Sequence, residues 1–264
     1  MPSGCRAHAT GSAAARYAGY LPCGSARPHF GKYLLFLQMN LRILAQTFSW
    51  LTILLVIAAS VSGISRFRRL LPSQRHLTLL ACFDATIELT AKFLSQVVHL
   101  KSNLFLFPIV LTGEVALLAL LYRRALQSPV FTKVLPWIVG LFGLYALLDY
   151  LAPPAAVHYA PGVQVVSYLL ILGMAGLYFR KLLNDLQLAR LSQEPVFLLS
   201  VGLTIYSLGS LLIALFSNYI IAHYSRTTQI IVIDGIRNLF NVELYACYIA
   251  VLWMPPPKAN SLSS

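Results

Sequence analysis

Charged residues are scarce in this chain, and acidic residues are the scarcest of them. Only 11% of the 264 residues are charged, and 8 acidic residues stand against 20 basic ones. Hydrophobic residues make up 58% of the chain, and the mean hydropathy is +0.72. An average soluble domain contains about 45 to 50% apolar and about 25% charged residues. The composition therefore excludes a water-soluble fold and predicts an integral membrane protein whose first partner is the lipid bilayer.

Cysteines and catalytic motifs are also few. The four cysteines show no CxxC pair and no metal-ligand spacing, so the sequence indicates neither a disulfide framework nor a metal site. HExxH, GxSxG, Walker and GxGxxG motifs do not occur in their proper contexts. We therefore expect no cofactor and no resident metal, and we favour a protein without enzymatic activity.

The net charge of +12 does not indicate a nucleic-acid partner, because the basic residues lie between apolar runs and form no continuous basic face. Eleven Lys and Arg residues lie in the first, third and fifth connections and the tail, against two in the other connections. Cytoplasmic loops retain positive charge, so this asymmetry predicts an external N-terminus and a cytoplasmic C-terminus.

Seven apolar segments can be drawn from residue 45 onward. Each is about 18 to 25 residues long, which is the length that a helix needs to cross about 30 Å of hydrocarbon. Prolines such as Pro72, Pro129 and Pro195 lie between them, where the absence of a backbone N–H removes no helical hydrogen bond. The predicted spans are 45–63, 77–98, 104–122, 134–151, 163–179, 196–220 and 229–253. The sequence therefore predicts an all-α, polytopic bundle of seven transmembrane helices, with residues 39–264 as its single membrane domain.

Residues 1–38 differ from the rest, because they are rich in Ala, Gly, Ser and Arg and contain no acidic residue. We favour a working start at Met39, with 1–38 a disordered leader outside the working protein. A genuine disordered tail and an organelle transit peptide are the alternatives. A start at Met39 also fits the charge rule, because the full leader would add four basic residues on the external side.

The second predicted span carries an ionisable stripe. Asp84, Glu88 and Lys92 are spaced i, i+4 and i+8, so on a helix they drift by only about 40° per step. A charge at the centre of a membrane costs about 2.5 to 3.5 kcal/mol even on insertion scales, so we expect these side chains to face an interior site. Glu88 followed by Lys92 is also the favourable order for an ion pair, and a purely structural salt bridge is the alternative.

Two further spans carry polar residues. Glu114, in the third span, has no partner within its own helix and needs Lys92, Arg237, a hydroxyl group or a proton. The last span has a polar face within about 60° of Asp234, formed by Arg237, Asn238, Asn241, Tyr245 and Tyr248. Such Asn and Tyr residues commonly do no more than bond neighbouring helices.

Together these residues predict a ligand or ion pocket between the second, third and seventh spans. Its candidate residues are Asp84, Glu88, Lys92, Glu114, Asp234, Arg237, Asn238 and Asn241. With Glu243 included, five intramembrane carboxylates stand against two basic side chains. Full ionisation would be costly, so we expect at least one carboxylate to be protonated or to meet a cation.

Four segments carry a resemblance: LTGEVALLALLYRRAL at 111–126, SYLLILGMAGLYFRKLL at 167–183, PVFLLSVGLTIYSLGSLLIALFSN at 195–218 and IDGIRNLFNVELYACYIAVLW at 233–253. The chain from Met39 to Trp253 resembles a family of uncharacterised bacterial seven-helix integral membrane proteins. Its members pair a glutamate in the third span with a sixth span ending in Ser-Asn and an Asn-rich last span. The positions that match the family's polar positions are Glu114, Ser217, Asn218, Asn238 and Asn241.

This resemblance implies a seven-helix fold in the bacterial cytoplasmic, or inner, membrane. Asp234 stands where a histidine is more usual in the family, so the resemblance does not support a histidine-dependent role.

Some relatives look like the membrane-sensing portions of signalling proteins. Our first hypothesis is accordingly a sensory or receptor-like module that acts through a separate cytoplasmic signalling partner. The alternatives are a proton- or cation-coupled transporter or intramembrane lipid-modifying enzyme, and a structural membrane subunit. The sequence leaves the oligomeric state open.

Overall fold

The computed structural model describes residues 28–98, 105–151, 161–184, 194–225 and 229–254. Every regular element in these residues is a helix, which confirms the all-α prediction for the described part of the chain. The chain divides into two compact units, residues 1–39 and 40–264. The first unit contributes a helical backbone from Pro28 onward, inside the segment that the sequence predicts as a leader. The second unit holds the bundle described below.

Seven α-helices follow one another in the described part of the chain. Proline is the first residue of five of them. The N–H groups in the first turn of a helix have no intrahelical acceptor, so proline, which lacks an N–H, loses no hydrogen bond there. The helices are α1 Pro28–Arg66, α2 Pro72–Gln96, α3 Leu106–Leu126, α4 Pro129–Leu151, α5 Pro161–Asn184, α6 Pro195–His223 and α7 Ile236–Trp253. A short 3₁₀ turn, Phe67–Arg69, follows α1.

The last predicted span is not one continuous α-helix. Residues Ile230–Gly235 form a π-helix, and α7 continues directly from it. A π-helix closes i→i+5 hydrogen bonds, so the angle of 100° per residue holds within α7 but not for Asp234.

Five helical segments in the described part of the chain are long and apolar enough to cross a membrane. They are Gln46–Arg69, Leu106–Leu126, Pro129–Leu151, Gly162–Asn184 and Pro195–His223. The chain is thus a helical bundle of membrane type. Neither α2, which carries the ionisable stripe, nor α7 is among the five, and the count of seven spans stays a prediction.

The helices pack around a shared interior. α3 packs against α2, α4 and α5, while α6 packs against α5 and α7, and α2 packs against α7. Close packing of α6 on α7 depends on glycine: a Cβ at Gly209 would overlap the ring of Phe240, and one at Gly202 would lie 2.7 Å from Cys247 Sγ. Five helices, α2, α3, α5, α6 and α7, therefore surround the interior polar side chains.

Side-chain bonds close one end of the bundle. The Nε2 of Gln74 donates to the carbonyl of Val251 at 2.9 Å, and the Nη1 of Arg66 donates to the carbonyl of Leu252 at 3.3 Å. The Nζ of Lys181 donates to the carbonyl of Ala125 at 2.9 Å. The last carbonyls of a helix have no intrahelical partner, so these bonds complete the C-terminal turns of α7 and α3. We call this the basic end; α2 and α6 begin here, around a cleft lined by Ser73, Leu121, Pro195 and Val251.

Candidate functional site

Three carboxyl groups on two neighbouring helices interact electrostatically, one of them buried and two, Asp84 and Glu88, half-buried. Glu114 on α3 is only 7% exposed. Asp84 on α2 lies close enough to Glu114 for their carboxyl groups to interact electrostatically, and Glu88 acts on Asp84 from the next turn of α2. Electrostatic interactions are stronger in a protein interior than in water, so these carboxylates repel one another when ionised.

Four buried tyrosines lie around the carboxyl groups, and each of them interacts electrostatically with Glu114. They are Tyr168 on α5, Tyr206 on α6, and Tyr245 and Tyr248 on α7. The rings of Tyr168 and Tyr206 meet edge to face with centroids 6.0 Å apart, and those of Tyr245 and Tyr248 do so at 5.7 Å. Edge-to-face pairs are favourable and hold the rings in place. We call the three carboxyl groups, these four tyrosines and Arg237 the interior cluster.

Arg237 brings positive charge to one side of the cluster. It lies near the start of α7, is half-buried, and acts electrostatically on Tyr168 and Tyr206. Because Glu114 acts on the same two tyrosines, both phenol groups interact electrostatically with an acidic and a basic side chain. A hydroxyl group can donate one hydrogen bond and accept others, so it suits such a position.

Lys92 lies at the edge of the cluster, towards α1. Its Nζ donates to Ser49 Oγ at 2.9 Å and lies 5.7 Å from the centroid of the Trp50 ring. It still attracts the Glu88 carboxylate, as the i,i+4 spacing on α2 predicts. The structure therefore attaches Lys92 to α1 and Glu88 instead of placing it among all three carboxyl groups.

The remaining predicted site residues are all on the last span. Asn238 and Asn241 are half-buried on α7. The backbone of Asp234 lies in the π-helix, and its side chain lies outside the described residues. Glu243, which the sequence places on the opposite face from Asp234, accepts a 3.5 Å hydrogen bond from Cys247 Sγ beside Gly202.

The site residues predicted from the sequence include none on α5 or α6. A signal was present, because Gln164, Ser167 and Tyr168 are spaced i, i+3 and i+4, which places three polar side chains on one face of an apolar helix. All three are buried.

Several buried polar atoms near the cluster have no hydrogen-bond partner among the described residues. They are Gln164 Oε1, Ser167 Oγ, Ser207 Oγ and Tyr248 Oη. In native proteins about 90% or more of buried polar groups are bonded to protein or ordered water. The interior around the cluster therefore offers unused donors and acceptors.

A second set of hydroxyl groups lies between the cluster and the basic end. Tyr248 interacts electrostatically with Tyr122, and the Tyr122 hydroxyl lies 2.9 Å from Ser200 Oγ. Ser200 donates its own proton to the carbonyl of Val196 at 2.7 Å, so Tyr122 is the donor in the first bond. Hydroxyl groups thus continue beyond the carboxyl groups towards the basic end.

The side chains of the cluster have the chemistry to bind protons and cations. Carboxylates accept protons or coordinate hard cations, and phenols both donate and accept hydrogen bonds. Among the described residues, no three His, Cys, Asp or Glu side chains converge as a metal ion requires.

No family model matches the chain, and neither a curated protein nor a solved structure matches it. The resemblance to bacterial seven-helix membrane proteins therefore stays a prediction. It depends on the four quoted segments of the sequence.

Proposed function

We propose that this protein is an integral membrane, receptor-like module whose interior cluster takes up a proton or a small cation and transmits that event to a separate partner protein. One observation carries the proposal: buried Glu114 and half-buried Asp84 lie close enough to interact, with Glu88 one turn farther along α2, among four buried tyrosines. Charged groups in a membrane interior commonly mark ion sites or proton relays.

The physical basis is mutual repulsion. Two ionised carboxylates in a poorly solvated interior destabilise each other, and uptake of a proton or a cation removes that repulsion. Asp84 and Glu114 belong to different helices, so the repulsion acts directly on the packing of α2 against α3. Binding therefore changes the relative energies of two helix arrangements, which is what a receptor requires.

The cluster is also connected to the basic end through one helix. Tyr245 and Tyr248 bring α7 into the cluster, and the last carbonyls of α7 accept bonds from Gln74 and Arg66. A displacement of α7 at the cluster would reach α1 and α2 at the basic end. Exposed cations there, including Arg68, suit a cytoplasmic partner of negative charge.

Infrared difference spectroscopy on the full-length protein in nanodiscs tests this proposal, with the pH and the concentrations of Na⁺ and K⁺ as variables. We expect carboxyl bands that respond to pH or to one cation, and loss of a responding band in Glu114→Gln. Glu194→Gln is the control, because Glu194 lies at the basic end, where α6 begins. If Glu114→Gln and Glu88→Gln keep all responding bands and lose only thermal stability, the structural-subunit hypothesis replaces this one.

A proton- or cation-coupled transporter is the second candidate, and the π-helix Ile230–Gly235 favours it. Transporters commonly place irregular helical segments at their ion sites, and π-helices often occur at functional sites. Proteoliposomes holding a pH-sensitive dye distinguish the candidates. Sustained, gradient-driven flux that Glu114→Gln removes would indicate transport, whereas bound-proton signals without flux would indicate a receptor.

We further propose seven spans in the bacterial inner membrane, with an external N-terminus and a cytoplasmic C-terminus. The distribution of Lys and Arg supports this orientation. A variant without native cysteines that carries Ala156→Cys should react with an impermeant thiol reagent added to intact cells. Reaction only after the cytoplasmic face is exposed would reverse the orientation.

A further inference from the structure

The interface of α5 and α6 has a defined register. Tyr168 meets Tyr206, and Phe179 meets Phe197, with ring centroids 6.0 Å apart in both pairs. The second pair lies eleven residues later on α5 and nine residues earlier on α6, so the helices run antiparallel. This register places Ser167 level with Ser207. Gln164 and Ser210 lie level with each other, about 4.5 Å farther from the basic end, at 1.5 Å of rise per residue.

Four side chains at these two levels are buried. Gln164 and Ser210 are 2% exposed, and Ser167 and Ser207 are fully buried. The Oε1 of Gln164 and the Oγ atoms of Ser167 and Ser207 have no hydrogen-bond partner among the described residues, while Ser210 interacts with the Tyr168 hydroxyl group. We call these four side chains the hydroxyl file, with Gln164 and Ser210 at its outer end.

Unpartnered polar groups in an interior are normally satisfied by ordered water, and a water site needs two to four polar partners. The three unpartnered groups, which belong to two adjacent helices, meet that requirement. The file leads to Tyr168 and Tyr206, and both tyrosines interact electrostatically with Glu114. It therefore connects the carboxyl groups with the end of the bundle opposite the basic end.

We infer that the ion of the proposed function is the proton, and that it reaches Glu114 along the hydroxyl file between α5 and α6. This inference rests on the proposed function and deepens it. In the transfer, one O–H bond breaks in a hydronium ion at the outer end, and one O–H bond forms at the Glu114 carboxylate. Each water molecule and each hydroxyl group between them accepts one proton and releases another, so none changes its charge.

The ionisable groups around Glu114 come from every helix that encloses the cluster. They are Asp84 and, through it, Glu88 on α2, Tyr168 on α5, Tyr206 on α6, and Tyr245 and Tyr248 on α7, while Arg237 acts on Tyr168 and Tyr206. None belongs to the file, whose members are neutral. Changes in the file should therefore alter the rate of proton uptake and leave its pH midpoint in place.

Stopped-flow infrared spectroscopy of the full-length protein, mixed from H₂O into D₂O buffer, measures that rate as the isotope shift of the Glu114 carboxyl band. Two variants interrupt the file: the double variant Ser167→Ala with Ser210→Ala, and Gln164→Leu. The matched control is Ser60→Ala, a buried hydroxyl group on α1 that donates to backbone carbonyls. We expect exchange about ten-fold slower or more in both file variants, equivalent to at least about 1.4 kcal/mol in the barrier, and unchanged exchange in the control.

The outcomes separate the two proposals. A Glu114 band that responds to pH but exchanges at the normal rate in both file variants would overturn the file and leave the receptor proposal standing. A band that responds only to Na⁺ or K⁺ in the unmodified protein would overturn the proton inference, and a band that responds to none of pH, Na⁺ and K⁺ would overturn both. Gln164→Leu keeps the test decisive if the double variant does not fold, because it changes one residue near the start of α5.

Discussion

The Nζ of Lys92 donates a hydrogen bond to the Oγ of Ser49 at 2.9 Å and joins the ionisable stripe of α2 to α1. Glu88, one turn earlier on α2, also attracts this ammonium group. Lys92 thus connects α1 to the interior cluster.

Ser49→Ala should weaken this connection. A hydrogen bond to a charged group contributes about 1.5 to 3 kcal/mol when buried, and Ser49 is half-buried, so we expect a loss of about 1 kcal/mol in the free energy of unfolding. Thermal unfolding in detergent, followed by circular dichroism, measures it. Thr47→Ala is the control, because the exposed Thr47 hydroxyl bonds only to the carbonyl of Ile43 in its own helix. Equal effects of the two changes would contradict the assignment.

Gln74→Leu should destabilise the basic end. The Gln74 side chain accepts a bond from the backbone N–H of Leu71 and donates one to the carbonyl of Val251. Its removal leaves both backbone groups without that partner, at about 1 to 3 kcal/mol for each buried group. Thermal unfolding should show a fall of several degrees, whereas Gln96→Leu, at the exposed end of α2, should show little change.

Gly209→Ala should separate α6 from α7. An added methyl group overlaps the ring of Phe240, and overpacking of this kind costs about 1 to 3 kcal/mol. Gly173→Ala on α5 is the matched control, because a Cβ there meets no atom within 4 Å. Thermal unfolding compares the two, and similar stabilities would show that the α6–α7 contact tolerates a larger residue.

His76 gives the basic end a dependence on pH. Burial, together with the charges of Arg124 and Arg123, lowers the pKa of His76 below its usual 6.5. As the pH falls through 6.5, the unfolded chain binds this proton before the folded protein does, so stability declines until the lower folded-state pKa is passed. Between about pH 7 and about pH 5, the melting temperature of His76→Gln should therefore fall by less than that of the unmodified protein.

The control for this measurement is His223→Gln, at the end of α6 that lies away from Arg123 and Arg124. Because this change leaves His76 in place, the decline caused by His76 should remain. If His76→Gln shows the same decline, other groups are responsible for it.

The helices could be predicted because length, hydropathy and proline act locally. Each predicted span overlaps a helix in the described part of the chain, and four of the proline-led starts fall within about five residues of a predicted boundary. The burial of Glu114 was also predictable, because no residue of its own helix can neutralise it.

Other features depend on neighbours that the sequence does not name. The i,i+4 spacing places Lys92 on the same face as Glu88, but its long side chain reaches Ser49 on another helix. Tyr168 and Tyr206 suit either packing or a polar site, and only their position beside Glu114 distinguishes the two roles. The π-helix before α7 follows from one extra residue in a helical turn, for which the residue types give no clear signal.

The position of Trp50 has a spectroscopic consequence. Its ring lies 5.7 Å from the ammonium group of Lys92, and Lys92 in turn attracts Glu88. The emission of an indole responds to nearby charge, so a change in the ionisation of Glu88 would alter the fluorescence of Trp50. With Trp137 and Trp253 replaced by Phe, the protein carries its own optical reporter of the interior cluster.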